Sequence, residues 1–113
     1  MINPSQFETP YFIDTMNAIK QMNLEAKQEN VNFFVVILPI LIDVRITTFA
    51  PVYDKIKSLF TTYDIQYFDL SNSVSSYEDS DLWILPFDQH PNEVANAVFA
   101  NRLSILLKNA IAH

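Results

Sequence analysis

Asp88 and His90, in the segment Pro86-Phe87-Asp88-Gln89-His90-Pro91-Asn92, are the residues of this chain best suited to do chemistry. Histidine changes charge near neutral pH, so it can take and return a proton. A carboxylate bonded to one ring nitrogen fixes the tautomer and stabilises the imidazolium formed in a reaction. An acid and a histidine following the apolar run Leu82-Trp83-Ile84-Leu85 thus make the acid–base half of a hydrolytic triad. Pro91 stands where a helix can begin, which would set His90 at or beside the N-cap of a C-terminal helix. The partial positive charge of a helix start would favour the neutral ring that a base needs. On spacing alone, Asp88 and His90 read more readily as ordinary cap and turn residues, because Asp-x-His is a common sequence.

The other chemistry-bearing residues have plainer uses. Glu78, Asp79, Asp81 and Asp88 offer oxygens to a hard cation such as Ca²⁺, but a solvated acidic loop explains them without one. Arg45 follows a strand, on the rim where ligands of α/β domains bind. An ion pair with Asp43 or a loop carboxylate is its simpler role. Ser71, Ser73, Ser75, Ser76 and Ser80 belong to a polar loop whose composition accounts for them, and none is singled out as a nucleophile. Trp83, Tyr63, Tyr67 and Tyr77 read as packing residues, and His113 has no evident partner. Neither a cofactor nor a metal is expected.

The 113 residues suffice for one small domain with one core, so residues 1–113 are read as a single domain. Half of them are hydrophobic, which argues for folding. A net charge of −6 leaves no basic patch for nucleic acid or an anionic membrane. With no cysteine there is no disulfide, thiol nucleophile or thiolate metal site. The longest apolar run, 33–42, contains Pro39 and falls short of the roughly twenty residues of a membrane span. Residues 1–6 lack the basic and apolar regions of a signal peptide. There is no glycine, where average usage of about 7% would give roughly eight. Turns must be made by Asn, Asp, Ser and Pro, and a glycine-lined phosphate cradle is excluded.

The elements that would position Asp88 and His90 follow from periodicity. After an irregular arm (1–9), Thr9-Pro10 reads as an N-cap and first-turn proline. Phe12, Met16, Ile19 and Met22/Ala26 mark an amphipathic helix over 10–28, which Asn30 interrupts. Residues 33–38 form a continuous apolar run suited to a strand buried on both faces. Pro39 ends it, and 40–48 connect to a helix carried by Phe49, Val52, Tyr53, Ile56, Leu59, Phe60 and Tyr63. Thr47 or Thr48 would cap that helix and Asp64 close it. Residues 65–70 read as a second, more polar strand, and 71–80 as a loop anchored by residues 82–85. The last helix is expected from Pro91 to Ala110, with Val94/Ala95, Val98/Phe99, Leu103, Leu106 and Ala110 inward.

The blocks Asp81-Leu82-Trp83 and Asp88-Gln89-His90-Pro91-Asn92, with Ala95-Asn96 and Ala100 beyond them, resemble the closing motif of the SGNH (GDSL-type) hydrolases. In that family an acid precedes His-Pro-Asn and a helix follows. The order of helix, strand ending in Leu38-Pro39, helix with an early Tyr53, and strand ending in Asp69-Leu70 is similar to the family's second half. The resemblance spans about Phe12 to Ala110, and only the acid with His-Pro-Asn is specific. It implies His90 as general base and Asp88 as its orienting partner. The commonest family spacing places the acid three residues before the histidine, where this chain has Phe87; Asp81 or Asp79 would be substitutes. Ala95-Asn96 stands where Gly-His is usual.

The family's nucleophile lies in a Gly-Asp-Ser block, and its oxyanion hole uses a glycine and an asparagine from two others. A chain without glycine holds none of the three. The resemblance therefore implies an α/β fold, the C-terminal part of a three-layer flavodoxin-like SGNH domain. Its function would be the base-bearing portion of a serine ester hydrolase, acting on acyl or acetyl esters and inactive alone. The open edge of strand 33–38 would pair with an N-terminal half or with a second copy of the chain. The alternative is a non-catalytic, degenerate α/β interaction module in which His90 only caps a helix.

Overall fold

The computed structural model describes residues 9–42, 44 and 49–111 of an α/β chain. Expectations for residues 1–8, Asp43, Arg45, Thr47, Thr48 and His113 lie outside the described residues. Two units divide the chain: Met1–Val35 with Pro51–Tyr67, and Val36–Ala50 with Phe68–His113.

In the first unit, α1 spans Pro10–Gln28. Thr9 is extended, its hydroxyl accepts the Phe12 N–H at 3.3 Å, and Pro10 occupies the first turn, where its missing donor costs nothing. Met16 and Asn23 are its buried residues; Met22, expected inside, lies at the surface. Asn23 can be buried because its Nδ2 donates to the Asp64 carbonyl at 3.2 Å. Helix α2 spans Ala50–Thr62, buries Phe60, and sets that ring 5.9 Å from Tyr67.

Both helices stop in the way that usually calls for glycine. Asn30 (φ 55°) and Asp64 (φ 56°) take the left-handed conformation. The Asn30 and Val31 amides donate to the Lys27 and Ala26 carbonyls; those of Asp64 and Ile65 donate to Thr61 and Phe60. This is the Schellman pattern, built on the two residue types that tolerate positive φ best after glycine. Asn30 and Asp64 thus interrupt the helices where the sequence places the breaks. Lys27 Nζ reinforces the second stop, 2.6 Å from Asp64 Oδ2.

Strands β1 (Val35–Ile37) and β2 (Tyr67–Asp69) form a two-stranded sheet. Val35 N donates to Gln66 O and Leu70 N to Ile37 O. The bonds advance in the same sense along both strands, so the pair is parallel. The run 33–38 is therefore not a strand buried on both faces. Three residues pair, Val36 is exposed and Ile37 is buried, the alternation of a strand covered on one face.

The second unit holds the core cluster of Leu41, Val44, Leu70, Val74, Leu82, Ala95 and Phe99. Leu82 ends a 3-10 helix, Asp79–Leu82, and has no exposed surface. Residues 83–85 are more than the apolar anchor expected. They form β3 (Trp83–Leu85), antiparallel to β4 (Asp88–Pro91), so a hairpin stands where only a loop was expected. Helix α3 spans Glu93–Ile111 and starts two residues later than Pro91. It packs through Ala95 and Phe99, then through the partly buried Val98, Leu103 and Leu106, while Val94 and Ala110 face outward.

Candidate functional site

The β3–β4 hairpin carries the acid–base pair. Trp83 pairs with Pro91 and Leu85 with Asp88, so two residues separate the rungs on β4 where one does on β3. Gln89 and His90 together oppose Ile84, the signature of a bulge, which bends a strand and re-aims its side chains. The loop is Pro86-Phe87, with Pro86 at the position whose φ its ring supplies. Two-residue hairpins usually need positive φ; neither residue here adopts it. The pair is accordingly short and irregular. Pro91 is tolerated in a strand because it sits at the last rung of a two-stranded sheet, where a donor can be spared.

His90 lies within β4, two residues before the Asn92 N-cap and not at it. What acts on it is Asp88. The Asp88 Oδ1 accepts from His90 Nδ1 at 2.5 Å and from the His90 backbone N–H at 3.1 Å. The bond from the His90 N–H to a carboxylate two residues before it is an Asx-type turn, and in the bulged segment that turn is how the spacing of two brings carboxylate and ring together. Bonds from the His90 ring and then from its backbone hold the Asp88 carboxyl below its ordinary pKa, against a small opposing effect of burial. With Nδ1 donating, the neutral ring presents Nε2 as an acceptor. No described residue bonds Nε2, and the side chain is 83% exposed against 38% for Asp88.

The clamp on this hairpin is Asn92, which a reading focused on the acid and the base passes over. Its backbone N–H donates to Leu82 O at 2.9 Å. Its Nδ2 donates to Asp81 O at 2.7 Å and to Trp83 O at 3.1 Å. Its Oδ1 accepts the Ala95 N–H at 3.0 Å, the N-cap bond of α3. One side chain therefore joins the 3-10 helix, β3 and α3 two residues after His90. The signal was available, since an asparagine before a helical run is an N-cap candidate. Trp83 adds a second tie, its Nε1 donating to Leu41 O at 2.7 Å.

The remaining candidates serve the frame. Asp79 Oδ1 accepts the Val44 N–H at 3.0 Å, and Asp81 offers its carbonyl to Asn92, so neither replaces Asp88 beside the histidine. The Ser71 hydroxyl donates to Asp69 Oδ1, that of Ser73 to Leu70 O and that of Ser75 to Asn72 O, all local turn bonds. Among the described residues no group of three or more His, Asp or Glu side chains could hold a metal ion. No described helix is long and apolar enough to cross a membrane.

A trough of about 520 Å³ adjoins the pair, lined by residues 38–41, residues 87–91 and Phe99. No protein-family model, curated protein or solved structure matches the chain. The Asp88–His90 geometry and its surroundings therefore carry the functional reading by themselves.

Proposed function

We propose that the chain supplies the acid–base half of an SGNH-type ester hydrolase, with His90 as general base and Asp88 as its orienting carboxylate. The observation that carries this reading is the 2.5 Å bond from His90 Nδ1 to Asp88 Oδ1, with Nε2 bonded by no described residue. In the proposed reaction a serine hydroxyl passes its proton to Nε2 while its oxygen bonds the ester carbonyl carbon. The imidazolium returns that proton to the leaving alkoxide as the ester C–O bond breaks. Water then releases the acyl group by the same sequence.

These 113 residues hold no glycine, so a Gly-Asp-Ser nucleophile and glycine oxyanion donors must come from another segment or another chain. Without them a base should retain little rate advantage. The two-stranded β1–β2 sheet would then be part of a larger flavodoxin-like sheet, its open edge pairing with the nucleophile-bearing half or with a second copy.

The test has two arms. Residues 1–113 alone should not hydrolyse p-nitrophenyl acetate measurably. The coding sequence around this segment should encode a Gly-Asp-Ser block, in frame or in a co-purifying partner. In that assembly His90→Ala should lower kcat about a hundred- to ten-thousandfold. Turnover by the assembly that is indifferent to His90→Ala, or the lack of any such serine block, would sink the reading. A non-catalytic interaction module is the rival, favoured by the exposed Phe87, Ile84 and Leu85 on the same hairpin. It predicts a partner whose affinity is unchanged by His90→Ala.

A further inference from the structure

We propose that the depression between helix α3 and the turn segment 71–80 is a binding site for a small monocarboxylate with an aromatic body, held by Arg102. The site does not depend on the ester-hydrolase reading, and no described residue lines both this depression and the trough beside His90.

The frame is built within the second unit. Val74, with no exposed surface, anchors the turn segment in the core cluster. Around it the Ser73 and Tyr77 amides donate to Leu70 O and Val74 O, each at 3.0 Å, and the Ser73 hydroxyl donates to Leu70 O at 2.6 Å. Ser73 and Tyr77 thereby line one side of a depression of about 540 Å³. Helix α3 lines the other. Ala97, Val98, Asn101, Arg102 and Ile105 recur at three- and four-residue spacing, so they share one face over two turns. Tyr77 and Val98 also pack against the core, which sets the walls before a ligand arrives.

An exposed arginine on a helix is ordinarily a solvated surface residue. Arg102 instead stands among the groups that a ligand needs. Its guanidinium is permanently charged and offers a planar fork that fits a carboxylate through two parallel bonds. The Asn101 amide and the Tyr77 hydroxyl are further donors on the same depression. Val98, the Tyr77 ring and Ile105, which is 44% exposed, supply apolar wall. The volume falls in the usual range for small-molecule sites. An aromatic body suits the Tyr77 ring, because aromatic pairs gain more than their buried area alone. Charge favours a carboxylate over a phosphate monoester. One guanidinium offsets one negative charge, and a chain with thirteen acidic residues against seven basic ones makes a second costly.

Phenylacetate is the probe, with phenylacetamide as its neutral counterpart, acetate as the charge without the ring, and phenyl phosphate as the doubled charge. The full chain, ¹⁵N-labelled, is titrated with each at neutral pH. Phenylacetate shifts should be confined to residues 73–77 and 97–105 and saturate below about 10 mM, an ordinary efficiency for a ligand of this size. Phenylacetamide should bind about tenfold more weakly or worse, for want of the charge-assisted bonds, and acetate and phenyl phosphate should also bind more weakly than phenylacetate. Arg102→Gln alters an exposed residue and should bring phenylacetate down to the level of phenylacetamide. Arg102→Lys, which keeps the charge without the fork, should fall between. Ile105→Ser should weaken phenylacetate and phenylacetamide alike. Equal binding of those two probes by the parent chain would overturn the proposal without any variant. So would shifts elsewhere or none, tighter binding of phenyl phosphate, or indifference to Arg102→Gln. Signals at these residues that follow protein concentration instead would mean that a second copy fills the depression, and would overturn it as well.

Discussion

Asn92→Ala should destabilise the second unit far more than a surface substitution does. Three side-chain bonds are lost. The N-cap bond to Ala95 is worth about 1 kcal/mol. The partly buried bond to Trp83 O contributes about 1 kcal/mol. The exposed bond to Asp81 O belongs near the low end of the range, about 0.5 kcal/mol. Allowing for non-additivity, the loss is about 2–3 kcal/mol, a large share of a typical domain's 5–15 kcal/mol. Asn92→Ser keeps a cap oxygen but not the two amide donations, so it should recover about 1 kcal/mol of that loss. Trp83, the single tryptophan, sits on the clamped strand and reports urea unfolding by fluorescence. Hydrogen exchange across residues 82–92 should speed up in both variants, because the hairpin loses its tie to α3. If Asn92→Ala costs under about 0.5 kcal/mol, within the usual surface range, or if Ser and Ala behave alike, the clamp has been misjudged.

Other perturbations follow from single contacts. Trp83→Phe keeps the ring but strands the Leu41 carbonyl, which should cost about 1–3 kcal/mol in a urea melt; a neutral outcome would mean that water replaces the indole. Asn30→Gly relieves a positive φ of 55° on an exposed residue and should stabilise by up to about 1 kcal/mol; destabilisation would show that the Asn side chain holds the turn. Asp88 and Asp64 both have carboxyl pKa values lowered from 3.8, by His90 and by Lys27 respectively. A lowered folded pKa gives stability that is present above the unfolded value and lost as pH falls through the folded one. These two carboxylates should therefore add no slope from neutral pH down to about pH 5, and stability should fall progressively below it as the unfolded carboxyls protonate first. Carboxyl ¹³C titrations should show midpoints under 3.8 that move back toward it in His90→Ala and Lys27→Met; midpoints at or above 3.8 in the parent chain would contradict both contacts.

How far the sequence discloses this structure depends on which physical effect sets each element. Helices α1 and α2 are legible because their apolar spacing and stop residues agree: Thr9 and Pro10 at one start, Asn30 and Asp64 at the ends. The Asp88–His90 pairing is legible because two residues in sequence suffice to make it. The hairpin is not. Asp-Gln-His-Pro has no strand propensity, and Pro86-Phe87 lacks the Asn-Gly type of turn signal. Its pairing depends on Leu82 filling the core and Asn92 tying both ends, which are contacts made in three dimensions. Asn23 is hidden for the same reason. A polar residue reads as surface until its partner, the Asp64 carbonyl forty-one residues away, is known. The start of α3 is not legible because a proline in Pro91's position suits a first helical turn and the last residue of a strand equally well.

The absence of glycine links these observations. Where a tight backbone would use one, this chain uses left-handed Asn30 and Asp64, or a proline turn that keeps φ negative and leaves a bulged, short hairpin. Such a hairpin is not held by its own turn. Its stability is delegated to Asn92 and Trp83, and His90 inherits its position from them. The same deficit sets a limit on the chemistry. Backbone N–H groups converge on an oxyanion most readily where glycine lets the chain approach closely, and here the polar groups brought together are a carboxylate and an imidazole. On the proposed reading, the Asp88–His90 pair would move a proton while the charge that proton transfer helps create would be stabilised by groups from elsewhere. That division of labour is what the proposed pairing with a glycine-bearing nucleophile segment would complete.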